Sequence, residues 1–289
     1  MSSGVEIINA SFALEALRES GFKSLANNIA ELVDNSIEHG ANKINIVGLF
    51  EAGVYGGVST ASYKIKEIAV FDDGTGIDET ILQSCLQIGF TSSNKEDLKL
   101  GKYGYGLKGA TINLGRRIEL FTWKKDLTNC KYVFLDLDEI SGQDAGRYLE
   151  HVSERKVPEK YIKFINKANS GTLVLIKKLD KISIKRPAGL IGSRGKNSSF
   201  VMDLSKIFRH FLDNDDTYGK KRDIKVWAVD FEDSEKNIIE PINLIPNDPM
   251  FLLTPNHIKV TARNDSPKEL EAASLSGKAT NELIEENII

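Results

Sequence analysis

The sequence predicts an α+β fold with a mixed, mostly antiparallel sheet, on three observations. Lys43–Phe50 alternates as a strand and Tyr63–Phe71 reads as the next, and they follow each other across a Gly/Ser-rich loop, EAGVYGGVSTAS, as the arms of a hairpin do. Three more strand-like stretches follow at Arg117–Trp123, Tyr132–Leu137 and Thr172–Lys178. The helical stretches between them are few and build no βαβ unit, so nothing requires an all-parallel sheet.

Taken in order, residues 9–21 carry Phe12, Leu14, Ala16 and Leu17 among polar residues and stop at Gly21, which predicts a first helix. A second runs from about Ser24 to His39. Leu25, Ile29, Leu32, Val33 and Ile37 make its apolar face, and Gly40 closes it. After the two hairpin strands, residues 78–88 read as a short helix. Residues 89–106 form a long loop rich in Gly, Ser and Lys, and Lys108–Leu114 a helix starting just after it. Residues 138–168 are polar, with helix near Glu159–Lys167. Lys181–Ser199 is basic and Gly/Ser-rich and reads as a linker. Beyond it come a helix over Ser199–Leu212, strands at 223–231 and 237–244, and a turn at PNDPM. The expected organisation is a first domain over 1–180, a basic linker over 181–198, a smaller α/β domain over 199–260, and over 261–289 either a polar tail or a linker to a missing region.

Composition narrows the function classes. The 289 residues are 41% hydrophobic and 27% charged, which excludes collagen-like, low-complexity and wholly disordered chains. A net charge of −3 gives no global attraction to nucleic acid or anionic lipid. The two cysteines cannot build a disulfide framework or a Cys-rich zinc site, and the four histidines are scattered. No apolar run approaches the ~20 residues of a membrane span. MSSGVEIINA lacks the pattern of a signal peptide, so a cytoplasmic protein is expected.

Four short motifs carry chemistry. On the second helix, NNIAELVDNSIEHGA, Glu31 and Asn35 stand one turn apart on one face. A carboxylate there can act as a base, and an amide oxygen can ligate Mg²⁺. At a strand end, Asp72-Asp73-Gly74-Thr75-Gly76 lets the backbone turn tightly toward a flat ligand, and an Asp carboxylate can accept from an exocyclic amine such as that of adenine. In Gly101-Lys102-Tyr103-Gly104-Tyr105-Gly106-Leu107-Lys108-Gly109, glycines before a helix can present N–H groups to phosphate oxygens, and Lys108 adds a full charge. This is neither a P-loop nor a dinucleotide fingerprint. Gly171-Thr172 enters a strand. Each motif alone is weak.

Their order resembles the GHKL ATPase superfamily: gyrase B, the ninety-kilodalton heat-shock chaperone, histidine kinases, MutL and the MORC ATPases. The resemblance covers residues 9–178. LRESGFKSLANNIAELVDNSIEHGA is most similar to MORC-like ATPases, and Ile88–Lys95 resembles their nucleotide lid. MutL shares the ELVxNS pattern but carries GFRGEA where this chain has GKYGYGLKGA. A histidine kinase catalytic domain usually has Asn where Glu31 stands, and no His precedes His39 here to accept the phosphoryl group. A non-hydrolysing nucleotide-binding scaffold is the remaining alternative; it would not need Glu31.

The resemblance implies a Bergerat-type α/β sandwich followed by a transducer-like domain at 199–260. It implies ATP and Mg²⁺ as ligands, slow hydrolysis, an ATP-dependent homodimer, and DNA or a DNA-processing protein as partner. By the same resemblance Glu31 is the base and Asn35 holds Mg²⁺. Asp34 supports them. Asp72 contacts the adenine amine with Thr172 beside it, and Gly74 and Gly76 shape that pocket. Thr91 and Lys95 belong to the lid. Gly101, Lys102, Tyr103, Gly104, Tyr105, Gly106, Leu107 and Lys108 wrap the triphosphate. A Lys of the second domain (Lys220, Lys221 or Lys225) reaches the γ-phosphate. The run Lys177, Lys178, Lys181, Lys185, Arg186, Arg194 and Lys196 reads either as a solvated linker or as a strip that tracks DNA phosphates.

Overall fold

The structure is a computed structural model that describes residues 14–16, 18–19, 24–55, 58–87, 106–125, 127–140, 151–165, 168–182, 184–193, 195–213, 220–247, 260–261 and 267–268. The expected elements are found nearly where the patterns put them. Residues 14–16 and 18–19 are helical. Helix α1 spans Leu25–Glu38, capped by Ser24, whose side chain accepts from the Asn27 amide. Strands β1 (Lys43–Tyr55) and β2 (Val58–Asp72) follow, then α2 (Glu79–Leu82) with a 3₁₀ turn at Gln83–Leu86. Next come α3 (Gly106–Leu114), β3 (Gly115–Trp123), β4 (Lys131–Asp136), α4 (Leu137–Ile140), the short β5 (Ser153–Glu154), α5 (Ile162–Ile165) and β6 (Gly171–Leu179). The rest comprises α6 (Pro187–Leu190), the small hairpin β7 (Gly192–Ser193) and β8 (Lys196–Asn197), α7 (Ser199–Ile207), β9 (Asp223–Asp230) and β10 (Asn237–Asn243).

One eight-stranded sheet organises the chain, in the order β10-β9-β1-β2-β6-β3-β4-β5. Every pairing in it is antiparallel except β1 with β9, which run parallel from Lys43↔Asp223 to Phe50↔Asp230. The mixed, mostly antiparallel sheet is therefore as expected. Strand alternation divides side chains between two faces. Ile46, Val70, Leu120 and Val174 lie on one face; this face carries α1 and α3, which pack on each other. Phe71, Phe121, Trp123, Tyr132 and Leu173 lie on the other, under Val157, Tyr161, Phe164 and Ile165 of the segment that bears α5.

Three expectations are corrected. The loop read at 51–62 is mostly strand: β1 continues to Tyr55 and β2 begins at Val58, so Gly and Ser here sit in a long hairpin. The strands at 223–231 and 237–244 belong to no separate second module, because β9 pairs directly with β1 and extends the first sheet. Residues 181–198 are not a bare linker either. Pro187, Leu190 and Ile191 are buried, and Leu190 fills the notch left by Gly48 on β1, where an added Cβ would stand 2.5 Å from it. Ser198 then donates to the Leu190 carbonyl at 2.6 Å and accepts from the Val201 amide at the start of α7. Three cations of the basic run are paired with acids: Lys177 with Glu119, Lys178 with Asp136 and Asp138, and Lys181 with Glu19.

By its internal contacts the chain divides into residues 1–204 with 222–244, and residues 205–221 with 245–289. In the second unit the Phe208 and Phe211 rings lie 6.4 Å apart, and Val260–Thr261 pairs with Pro267–Lys268. The tail expected over 261–289 lies outside the described residues apart from Thr261, Pro267 and Lys268.

Candidate functional site

The site is built where α1 ends over the ends of β2, β3 and β6. Asp72 is the last residue of β2, stands opposite Thr172 at the start of β6, and is 8% exposed. Each of its carboxylate oxygens takes one donor: Ser36 Oγ of α1 at 3.0 Å on Oδ2, and the Gly74 amide at 2.9 Å on Oδ1. A carboxylate has about four lone-pair positions, so acceptor capacity remains. Burial pushes the Asp72 carboxyl up from its ordinary range. The Gly74 and Ser36 hydrogen bonds hold it back in part, and the neighbouring charge of Asp73 adds to the rise.

The glycines after Asp72 are required by backbone packing. Gly76 has φ +70°, and a Cβ there would meet the Trp123 carbonyl at 2.4 Å. Gly171 lies so close to β2 that a Cβ would stand 2.2 Å from the Asp72 carbonyl. Three further groups pin this turn. Asp73 Oδ1 accepts from the Asn42 and Lys43 amides at 2.7 and 2.8 Å. Ser170 donates to the Gly74 carbonyl at 2.7 Å, and Thr122 Oγ1 accepts from the Ile77 amide at 2.7 Å while donating to the Gly171 carbonyl.

Upstream on α1, Asn35 Nδ2 donates to the Glu31 carbonyl at 2.7 Å, which leaves Oδ1 as the outward end of the amide. Burial raises the Glu31 carboxyl. Asp34 is raised to about 6 by burial and then by the charges of Glu31 and Glu38. Among the described residues no Lys or Arg pairs with Glu31, Asp34 or Asp72, and no cluster of three or more His, Cys, Asp or Glu side chains could hold a metal. An ion here would be held by Asn35 Oδ1 together with oxygens of its ligand and water. That donor set suits Mg²⁺, which usually keeps few protein ligands.

A family model described as histidine kinase-, DNA gyrase B- and HSP90-like ATPase matches residues 23–172, more than half of the chain. The chain belongs to this ATPase family. The matched span begins just before α1 and ends at Thr172, so it contains every residue of the turn and helix described above. Among curated proteins the chain is similar to ATPase MORC2A of Mus musculus, 31% identical over 117 residues, which is 40% of this chain and 11% of that protein. It is also similar to Protein MICRORCHIDIA 3 of Arabidopsis thaliana, 33% identical over 94 residues, 32% of this chain and 15% of that protein. The chain thus spans a small part of these relatives' length. A solved structure titled as the N-terminal domain of a DNA repair protein aligns over 81% of this chain and 58% of that one, at 16% identity and a TM-score of 0.45.

For an ATPase of this family, the sequence-predicted residues fall into three groups. Asp72, Gly74, Gly76 and Thr172 come together at the turn, with Glu31, Asp34 and Asn35 on the helix whose Ser36 touches it. Gly106, Leu107 and Lys108 stand in the first turn of α3, which packs on α1. Thr91, Lys95, Gly101, Lys102, Tyr103, Gly104 and Tyr105 lie outside the described residues. Of the three candidate lysines, Lys225 is on the far face of the sheet, its ammonium 4.6 Å from the centre of the Trp227 ring, so it does not face Asp72. Sequence reasoning missed Ser36, Asp73, Thr122 and Ser170. Two had a signal: Asp73 by its place inside the DDGTG motif, where sequence reasoning gave it no role, and Ser36 by its place directly after Asn35 in the DNS run.

Proposed function

We propose that this chain binds Mg·ATP at the α1–β2–β6 site and hydrolyses it slowly, using nucleotide binding to drive closure and homodimerisation. The observation that carries the reading is Asp72: a buried carboxylate with no Lys or Arg partner among the described residues, aimed by Ser36 and Gly74, opposite a Thr hydroxyl. Its free lone pairs accept from the C6 amine of adenine, and Thr172 stands beside it, directly or through a water. Glu31 takes the proton of the attacking water. The raised Glu31 carboxyl is a stronger base than an exposed one, and it works only when ionised, so hydrolysis falls as pH drops through its value.

Asn35 Oδ1 would hold Mg²⁺, which when bound neutralises charge on the β- and γ-phosphate oxygens. Gly101, Gly104, Gly106 and Lys108 wrap the triphosphate at the N-terminal end of α3, where backbone N–H groups and the helix dipole favour anions. Binding energy spent on closing the lid and pairing two copies makes the chain a switch, and turnover is expected well below the ~10 s⁻¹ enzyme median. By the resemblance drawn from the sequence motifs, the further partner is DNA or a DNA-processing protein.

The test compares wild type with Glu31→Ala for Mg·ATP hydrolysis, ATP affinity, and mass in solution with a non-hydrolysable ATP analogue. Expected are slow hydrolysis and an analogue-dependent dimer for wild type. Glu31→Ala should lose about 10²–10⁴-fold in kcat while binding ATP within a few-fold of wild type. A wild type that binds ATP but neither hydrolyses it nor dimerises would make the chain a nucleotide-binding scaffold and remove Glu31 as base.

A further inference from the structure

Arg18 is the most deeply buried cation among the described residues, 3% exposed, and it joins three parts of the first unit. Its guanidinium NH2 donates to both carboxylate oxygens of Asp180, just past β6, at 2.6 Å each. Its NH1 donates to Glu15 at 3.0 Å, and its Nε donates to the Ile112 carbonyl of α3 at 2.8 Å. Lys181 closes the arrangement by donating to the Arg18 carbonyl at 2.9 Å and to Glu19 at 2.8 Å.

The Ile112 carbonyl is one of the last four of α3, which have no partner within the helix. A cation there also opposes the negative end of the helix dipole. The C-terminal half of α3 is itself buried, with Ile112 1% and Leu114 4% exposed. A cleft of about 500 Å³ borders it, lined in part by Asn113, Leu114, Ser24, Lys181 and Phe200. Close-packed interiors hold helices by interdigitation, and on the side that faces the cleft directional hydrogen bonds add to that hold and set the axial position. A planar guanidinium can satisfy the Ile112 carbonyl and the Asp180 carboxylate at once in a fixed geometry; an ammonium cannot.

We infer that Arg18 is a positioning residue for the triphosphate, holding α3 from its C-terminal end so that the helix's N-terminal end meets the phosphates, and that Asp180 links this hold to the segment after β6. The inference rests on the reading of the site as an ATP site. It separates the two ends of the nucleotide: Arg18 acts through α3 on the phosphates, and the hydrogen bonds described above go to α3, Glu15 and Asp180 rather than to the Asp72 turn.

The test measures binding of ATP and of adenosine, each with Mg²⁺, by calorimetry on the full chain. Wild type, Arg18→Lys and Asp180→Asn are compared, with thermal unfolding as a check of the fold. Arg18→Lys should weaken ATP about tenfold while adenosine affinity stays within about twofold, since it loosens the hold on α3 and only the phosphate end of the nucleotide meets that helix. Asp180→Asn, at a half-exposed position that tolerates change, should move the ATP-to-adenosine ratio the same way by a smaller factor, and keeps the test open if Arg18→Lys fails to fold. Equal loss of both ligands, or no change in the ratio for a folded variant, overturns the positioning role. A wild type that binds neither ligand overturns the ATP site itself, and the inference with it.

Discussion

On the α1 side of the sheet, Asp72 is buried with a hydroxyl and an amide on its carboxylate and, among the described residues, no Lys or Arg paired with it; the charge of His39 acts on it without an ion pair. On the opposite side, Glu119 is buried to a similar degree, but between Arg117 at 2.8 Å and Lys177 at 2.9 Å. Burial alone would raise both. At Asp72 it wins and the carboxyl is raised. At Glu119 the hydrogen bonds and charges of Arg117 and Lys177 outweigh it and the carboxyl is lowered. Asp136 repeats the second pattern: burial works against it, and the hydrogen bonds of Lys178, Arg117 and the Asp138 amide bring it down. The three acids of one sheet thus serve two different ends. A carboxylate whose charge is already neutralised holds strands together. One whose charge is left open costs stability and keeps its lone pairs for a ligand.

Exchanging each acid for its amide sharpens the contrast, and the largest effect is expected at Asp72. In Asp72→Asn the amide oxygen can still accept from Gly74 while its nitrogen donates to Ser36, and that nitrogen then opposes the adenine amine. ATP affinity should fall about 10–100-fold, the scale of one or two lost hydrogen bonds to a charged group. Guanine carries a C6 carbonyl in place of the amine, so preference for ATP over GTP should shrink by a similar factor in competition binding. Because a desolvated charge has been removed, thermal stability should hold or rise. A variant that keeps its ATP preference would place the base elsewhere.

Glu119→Gln should do the reverse. It leaves Arg117 and Lys177 with a weakened partner, so stability should drop by about 1–3 kcal/mol in denaturant unfolding. ATP and adenosine affinities should not change, since Glu119 lies on the far face. A loss of nucleotide binding with intact stability would break the division between the two faces.

Much of this was legible before the fold was known. Strand-like stretches located β2, β3, β4 and β6 within a few residues, and the apolar face Leu25-Ile29-Leu32-Val33 located α1. Asp72, Gly74, Gly76 and Thr172 were found by motif order and do converge. What could not be read was non-local. The parallel pairing of β1 with β9 joins residues about 180 positions apart, and no local pattern encodes it. The 181–198 segment reads as a linker because its surface lysines dominate its composition, while the three residues that anchor it, Pro187, Leu190 and Ile191, are a minority. Ser36 and Ser170 hold the Asp72 turn through single hydrogen bonds, and a serine in a polar run carries no mark of its partner.

The smallest expected effect gives the contrast a pH signature. Asp34 sits on α1 with Glu31 and Glu38 as neighbours and no cation among the described residues, and its carboxyl is raised from 3.8 to about 6. In that window the folded chain holds a proton that the unfolded chain releases. The stability this contributes is complete below about 4 and is lost as pH rises through about 6. Asp34→Asn has no such proton to lose. Relative to wild type it should therefore gain stability as pH rises from 4 to 7 and then level off, by on the order of 1 kcal/mol after solvent screening. Glu119 has the opposite sign. Its lowered carboxyl contributes stability above its ordinary 4.5 that is lost on acidification, so the deficit of Glu119→Gln should shrink as pH falls below that value. Denaturant unfolding of both variants and wild type from pH 3 to 7 reads the two slopes together. A flat Asp34→Asn difference would mean that α1 leaves this carboxylate well solvated, and the α1 face would then owe its unpaired charge to Asp72 and Glu31 alone.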